Sequence, residues 1–268
     1  MGKTGYSGSK MSPLNKKIMK KRLFYFLFIP LLFCQCEKDS SEPVKGNVAA
    51  GTGGSLARFA ITGNYLYSVD ENQLKVFDIS TPRSPVLKNT KDVGFAIETI
   101  FPFKGNLFIG SATRIYIYSI EDGANPKLLS SAISPQVMRR CDPVVAKDSV
   151  AYATLRTNGP CGGTQSLLAV FNIKDITNPV QVFTYPVAEP YGLGYKNDVL
   201  YVCDKQRGLI LFDISDPYKP DPIDVYISDG SYVDVIPYQN TLICWTTTGV
   251  ILYDITDNRN PVLIKNIN

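Results

Sequence analysis

Short apolar runs separated by turn residues dominate the chain from residue 57 to its end. Five runs share one pattern, four mostly apolar residues followed by a polar residue and an isoleucine: 74–79, 115–120, 168–173, 209–214 and 250–255. A proline follows each polar residue after seven positions, at Pro85, Pro126, Pro179, Pro220 and Pro261. Runs this short, with a turn signal about every 8–12 residues, predict β-strands.

The five runs recur at a nearly constant period. The polar residues that end them, Asp78, Ser119, Asn172, Asp213 and Asp254, are separated by 41, 53, 41 and 41 positions. Each unit divides at its turns into four short strands. A period of about 40–45 residues with four strands per unit is typical of a β-propeller. We therefore expect an all-β fold, a closed five-bladed β-propeller of four-stranded antiparallel blades, over residues 55–268.

Each part of the repeat has a physical role. The apolar run hardly alternates with polar residues, which predicts the third strand of a blade, covered on both faces by neighbouring blades. The polar residue ends this strand, where its side chain accepts backbone N–H groups in a turn. Proline has no N–H group for a sheet ladder, so it predicts the start of the outer edge strand.

These runs resemble the LVIVD repeat, which is named for the same strand. The resemblance covers residues 57–268 and implies an extracytoplasmic bacterial or archaeal propeller. It implies no particular activity, because the family has no common chemistry or catalytic residues to transfer.

The N-terminal region has the layout of a lipoprotein signal. The basic residues Lys20-Lys21-Arg22 precede an apolar run over 23–33, which is shorter than the roughly 20 residues of a membrane span. The run ends near two candidate lipidation sites, Cys34 and Cys36, and the charged segment 37–43 favours Cys36. We expect an extension and signal peptide over 1–35, a lipidated Cys36 with a flexible tether over 36–54, and attachment to the outer membrane with display on the cell surface.

Composition narrows the chemistry further. The chain has no histidine, which excludes Ser-His-Asp and Cys-His catalysis. Seven of the 28 basic residues and none of the 24 acidic residues lie in 1–36, so the remainder has a net charge of −3. The propeller therefore has no overall field that would attract nucleic acid. No cofactor motif or metal-ligand spacing occurs, so we expect neither cofactor nor metal.

Candidate binding residues gather at one face of the predicted propeller. The loops from strand 4 to the next strand 1, and from strand 2 to strand 3, share the face at the channel mouth. Nine residues fall there: Arg58, Glu98, Arg139, Asp142, Arg156, Glu189, Tyr191, Tyr232 and Asp234. They could hold a polar ligand, or they could be solvated loop ends that pair with one another.

The third unit is irregular, because about 12 extra residues lie between its second and third strands. A disulfide between Cys141 and Cys161 would fasten this loop beside the mouth, in the oxidising environment that the leader implies. We expect Cys203 and Cys244 to be buried and unpaired. Trp245 is either a packing residue or a platform for a sugar.

The sequence is compatible with two functions. The first is a non-catalytic binding or scaffold module on the cell surface, with a glycan or protein ligand and a membrane anchor. The second is a glycan-active hydrolase that uses mouth carboxylates as acid and base, the candidates being Glu98, Asp142, Glu189 and Asp234.

Overall fold

A computed structural model describes residues 54–135, 141–157 and 165–268, without the side chains of Cys141 and Asp142. These residues lie within the second of two compact units, Gly46–Asn268. The predicted signal peptide, Cys36, Arg139 and Cys161 fall outside the described residues. No helix long and apolar enough to cross a membrane is found among the residues that were placed.

Twenty β-strands, numbered in chain order, form five sheets. Blade 1 contains β1 (Phe59–Thr62), β2 (Tyr65–Asp70), β3 (Gln73–Asp78) and β4 (Val86–Asp92). Blade 2 contains β5 (Ile97–Phe103), β6 (Asn106–Ser111), β7 (Ile115–Ser119) and β8 (Lys127–Ala132). Blade 3 contains β9 (Cys141–Lys147), β10 (Val150–Leu155), β11 (Ser166–Asn172) and β12 (Val180–Val187). Blade 4 contains β13 (Pro190–Lys196), β14 (Val199–Asp204), β15 (Gly208–Asp213) and β16 (Asp221–Tyr226). Blade 5 contains β17 (Tyr232–Tyr238), β18 (Thr241–Thr246), β19 (Gly249–Asp254) and β20 (Val262–Ile267).

Every blade is an antiparallel meander of four consecutive strands, which confirms the predicted five-bladed β-propeller fold. The apolar runs are the third strands, β3, β7, β11, β15 and β19. Each fourth strand begins at the residue after the repeat proline, as Asp221 does after Pro220. The fourth strands are therefore the outer edges, where a residue without an N–H group is tolerated.

The polar residue at the end of each third strand closes a turn, as its chemistry predicts. In blade 4, Asp213 Oδ1 accepts a hydrogen bond from the Ser215 N–H at 2.8 Å. The same contact occurs in the other blades, made by Asp78, Ser119, Asn172 and Asp254 with the residue two positions later. Because Asp, Asn and Ser side chains can all accept this bond, the repeat tolerates exchange among them.

Apolar side chains fill the joints between consecutive blades. One buried cluster joins blades 1 and 2, a second joins blades 2, 3 and 4, and a third joins blades 4 and 5. Tyrosines on the second strands add hydrogen bonds across three of these joints: the hydroxyls of Tyr67, Tyr152 and Tyr201 donate to Gly123 O, Pro217 O and Asn258 O at 2.8–2.9 Å. These three joints therefore combine apolar packing with a directional hydrogen bond.

The two end blades differ from the expected closed ring. None of the apolar clusters found in the described residues spans blades 5 and 1. Phe59 in β1 is 61% exposed, whereas the residues at the same position in the other first strands, Ile100, Val144, Leu193 and Val235, are at most 1% exposed. The face of blade 1 that would meet blade 5 is therefore not packed in this structure.

Candidate binding face

The loops at the channel mouth are held together by backbone hydrogen bonds. In blade 4, the Lys205 N–H donates to Glu189 O at 3.0 Å and joins the β14–β15 loop to the start of the first strand. The bonds from Ala112 N to Ala96 O and from Thr247 N to Ser231 O, both 2.9 Å, do the same in blades 2 and 5. Side chains from both loop types therefore gather on one face, as the topology predicts.

A pocket of about 480 Å³ opens on this face between blades 1 and 2. It is lined by Arg58, Glu71, Asn72, Phe95, Ala96, Ile97 and Glu98. Two of the predicted mouth residues, Arg58 and Glu98, are thus brought together. Sequence reasoning missed Phe95, whose ring is 79% exposed, because no repeat position predicts it.

The backbone beside Phe95 departs from the repeat. Ala96 has a φ of 52°, in the left-handed region that costs a residue with a Cβ about 1–2 kcal/mol. The other non-glycine residues with positive φ, Lys104, Asp148, Asn197 and Gln239, all occupy the turn between first and second strands. Ala96 lies outside such a turn and is held by the hydrogen bond from the Ala112 N–H. The positive φ of Ala96 is therefore not needed for a turn of the repeat. Backbone strain of this kind is found frequently at ligand-binding positions.

A second group of mouth residues surrounds Tyr191 at the junction of blades 3 and 4. The Arg156 guanidinium carbon lies 3.9 Å from the centroid of the Tyr191 ring, and Lys205 Nζ lies 3.8 Å from it. Both distances permit cation–π attraction. Glu189 Oε2 accepts a hydrogen bond from Gln206 Nε2 at 3.4 Å. Arg156, Glu189 and Tyr191 were predicted at the mouth, and Lys205 was missed.

Asp204 supports this second group from below. Its carboxylate is fully buried and accepts hydrogen bonds from four backbone N–H groups, those of Ala188, Glu189, Gln206 and Arg207, at 2.7–3.2 Å. Four such donors compensate the burial of the negative charge. Asp204 therefore positions the loops that carry Glu189 and Lys205. An acidic residue at the end of a second strand, immediately before a turn, was the signal that could have identified it.

Asp234, also predicted at the mouth, lies under the chain segment that leads into β1. Ser55 Oγ donates to Asp234 Oδ1 at 3.3 Å, and a Cβ on Gly54 would come within 2.1 Å of Asp234 Oδ2. Burial raises the pKa of Asp234 to about 6, although hydrogen bonds from the Val235 and Leu56 N–H groups and from Ser55 oppose the shift. Asp234 is placed to hold this segment rather than to meet solvent.

Tyr232 is buried as well. Its hydroxyl lies 2.7 Å from that of Tyr253, and burial raises its pKa far above the ordinary value. The side chains of Arg139 and Asp142 lie outside the description. The seven predicted residues whose side chains are described divide between the pocket, the Tyr191 group and the interior of blade 5.

The cysteines agree with expectation where they are described. Cys203 and Cys244 are free and buried, and both belong to the cluster between blades 4 and 5. Burial raises the pKa of both thiols, so they are poorly reactive. The predicted Cys141–Cys161 disulfide involves side chains outside the described residues and stays a prediction. Within the described ranges, no three His, Cys, Asp or Glu side chains are grouped to hold a metal ion.

Comparison with known sequences identifies the repeat. The family model of the LVIVD repeat matches residues 53–93 and 196–232, which overlap blades 1 and 4, and this confirms the resemblance. No curated protein sequence matches the chain significantly.

Solved structures similar to this chain include three propeller-like neighbours. The computationally designed Ika8 protein aligns with a TM-score of 0.55 at 12% identity, over 77% of this chain and 59% of Ika8. The periplasmic gluconolactonase PpgL of Pseudomonas aeruginosa aligns with a TM-score of 0.59 at 13% identity, over 76% of this chain and 67% of PpgL. BamB of Moraxella catarrhalis aligns with a TM-score of 0.54 at 11% identity, over 78% of this chain and 58% of BamB. This chain spans about three fifths of the length of Ika8 and BamB, and at these identities the likeness concerns the fold alone.

Proposed function

We propose that this β-propeller, two segments of which match the LVIVD repeat, is a non-catalytic, cell-surface binding module whose mouth face holds a glycan. A propeller supplies a rigid scaffold from which loops can present a site. The observation that carries the proposal is the pocket between blades 1 and 2.

The pocket combines the two kinds of group that a saccharide needs. A pyranose ring has an apolar face of C–H groups, which packs on an exposed aromatic ring such as Phe95. Its hydroxyls donate to carboxylates and accept from guanidinium and amide groups. Glu71, Glu98, Arg58 and Asn72 supply these partners around one cavity of about 480 Å³, a volume within the usual range for small-ligand sites.

The same pocket contains the observation that favours the second function, a glycan hydrolase. Glu71 and Glu98 both line it, and glycosidases use two carboxylates. A hydrolase also needs a carboxylic acid whose pKa is raised so that it can donate a proton. Asp234, whose carboxyl pKa burial raises to about 6, lies beneath Gly54 and Ser55 and is not among the residues that line the pocket. We propose binding without hydrolysis because Phe95, Arg58 and Asn72 add binding groups to the two carboxylates.

Titration calorimetry and an oligosaccharide array on the purified protein would test the proposal. We expect Phe95→Ala to weaken glycan binding at least tenfold, because it removes the stacking surface, and Arg58→Ala to weaken it as well. Tyr238→Ala removes an exposed aromatic ring at the opposite end of a first strand and serves as the matched control. Equal binding by wild type and Phe95→Ala would exclude this pocket. Release of reducing sugar that Glu98→Gln abolishes would favour the hydrolase instead.

A further inference from the structure

Every joint between consecutive blades has the same construction. Each blade has two faces. Its forward face, on the second and third strands, packs against the following blade. The following blade contributes the opposite face, which we call its receiving face. Val69 of β2 and Ile100 of β5 share the cluster between blades 1 and 2. Cys203 of β14 and Val235 of β17, which occupy the corresponding positions, share the cluster between blades 4 and 5.

Among the described residues, the forward face of blade 5 shares no apolar cluster with another blade. The position of Cys203 and Val69 is occupied there by Trp245, which pairs with Val250 and is 56% exposed. Ile243 and Leu252 extend the same face and are partly exposed. Their counterparts in blade 1, Tyr67 and Val76, are fully buried, as are the equivalent residues of blades 2, 3 and 4. We call the residues 243, 245, 250 and 252 the forward end face.

Blade 1 carries the complementary receiving face. Phe59 occupies the position of Ile100 and Val235, and Ile61, 49% exposed, lies two residues further along β1. Leu66 of β2 pairs with Ile61, and Phe77 of β3 pairs with Leu66, so the patch extends across the first three strands. We call the residues 59, 61, 66 and 77 the receiving end face.

A short segment holds the two end faces in this arrangement. We call residues 54–57 the strap. Ser55 Oγ accepts a hydrogen bond from the Leu193 N–H of β13 at 2.7 Å and donates to Asp234 of β17, while Ala57 O accepts from the Ile100 N–H of β5 at 2.9 Å. The strap thus fastens blades 4 and 5 to blade 2 across the mouth.

We propose that a second copy of this chain covers the end faces head to tail, with the forward end face of one copy packed on the receiving end face of the other. The occupant must present a blade face of the opposite kind, and the chain itself carries both kinds. Trp245 of one copy then lies against Phe59 of the other. Within one chain, the equivalent positions are occupied by Val69 and Ile100 at the joint of blades 1 and 2, and by Cys203 and Val235 at the joint of blades 4 and 5. An aromatic pair at this position adds contact area and a favourable ring–ring interaction.

The size of the faces suits a stable assembly. The fourth strands stay largely exposed even where a joint is formed, so three strands about 4.8 Å apart and six residues of about 3.4 Å each give a face of about 300 Å². Two copies that form both joints bury four such faces, about 1,200 Å² in total, which is the lower end of the range for specific, stable protein interfaces. Head-to-tail contacts that do not close would instead continue as a filament.

Disulfide trapping between differently tagged full-length chains would test the proposal. One chain carries Phe59→Cys and the other Trp245→Cys, and the two are expressed together. A mixed, reducible dimer is expected, because each chain lacks the partner thiol that an internal bond would need. The buried Cys203 and Cys244 do not compete, and each variant expressed with the unsubstituted chain measures the background from the remaining cysteines.

The matched control replaces Phe59→Cys by Phe95→Cys, which is more exposed but lies on the mouth face, and it should give background only. A single chain with both Phe59→Cys and Trp245→Cys completes the design. An internal disulfide in that chain, without a mixed dimer in the two-chain experiment, would show intrachain closure and overturn the proposal. Absence of both disulfides would overturn it as well. Neither result depends on glycan binding.

Discussion

Ser55 and Asp234 lie 179 positions apart in the chain, yet their side chains share a hydrogen bond in the interior. The pair shows why individual mouth residues were harder to place than strands. Asp234 lies near the start of β17, but the strap that covers it, residues 54–57, belongs to no repeat. Nothing in the local pattern around Gly54 or Asp234 predicts a contact that only the folded chain creates.

Asp234 should make the stability of the protein depend on pH. Its pKa in the folded state, about 6, lies above the ordinary 3.8, so the folded protein binds this proton more tightly than the unfolded chain. The resulting stability is present below about pH 4 and is lost as the pH rises through 6. A shift of about two pKa units corresponds to about 3 kcal/mol.

Denaturant unfolding from pH 4 to 7.5 would measure this effect. Asp234→Asn keeps an acceptor for Ser55 Oγ and has no charge, so its free energy of unfolding should fall less over this range than that of the wild type. The comparison is needed because other aspartates, such as Asp213, have pKa values lowered by hydrogen bonds and destabilise the fold at lower pH. Parallel curves for the two proteins would contradict the assignment.

The strands are the part of the molecule that the sequence predicted best. In blade 4 the predicted third strand, its terminal Asp213 and the edge strand after Pro220 all agree with the structure. They agree because strand identity depends on local signals: apolar content, a turn-forming side chain and a residue without an N–H group. Phe95 was missed because no repeat position predicts an exposed ring there, and the positive φ of the neighbouring Ala96 has no sequence signature.

The third strands should supply much of the stability. Leu211 in β15 is completely buried in the cluster between blades 4 and 5. Leu211→Ala should therefore lower the free energy of unfolding by about 2–5 kcal/mol, from lost apolar burial and the cavity left behind. Leu263→Ala, in the outer strand β20 where the side chain is 59% exposed, is the matched control and should cost less than about 1 kcal/mol. A loss below about 1 kcal/mol for Leu211→Ala in denaturant unfolding would mean that β15 is not a core strand.

At the scale of the whole molecule, the repeat and the predicted leader explain different properties. The repeat determines the blade count, because each unit forms one complete meander. It does not determine whether the end blades meet, since ring closure depends on the angle between blades and not on any single unit. The predicted leader concerns attachment to a membrane, and it stays a prediction.

The tether is expected to join the propeller at its mouth face. Gly54 and Ser55 contact Asp234 at the mouth face, so we expect the tether to meet the propeller on the side that carries the pocket. Gly54 lies 18 positions after Cys36. A flexible chain of that length has a root-mean-square span of about 24 Å, enough for the mouth face to turn away from a membrane and meet a glycan.

We expect lipid attachment at Cys36, and metabolic labelling with a radioactive or clickable fatty acid would test it in cells. The wild type and Cys34→Ser should be labelled and should partition with the outer membrane. We expect this because the charged segment 37–43, typical of the residues after a lipidated cysteine, directly follows Cys36. Cys36→Ser should lose the label, and no lipid should then hold its propeller on the membrane. An unprocessed chain still contains the apolar run over 23–33, so the label is the decisive measurement. Cys34→Ser is the matched control, since it removes the neighbouring thiol two positions earlier. Undiminished labelling of Cys36→Ser would move the site to Cys34 and shorten the signal peptide by two residues, and absence of label from the wild type would exclude lipid anchoring.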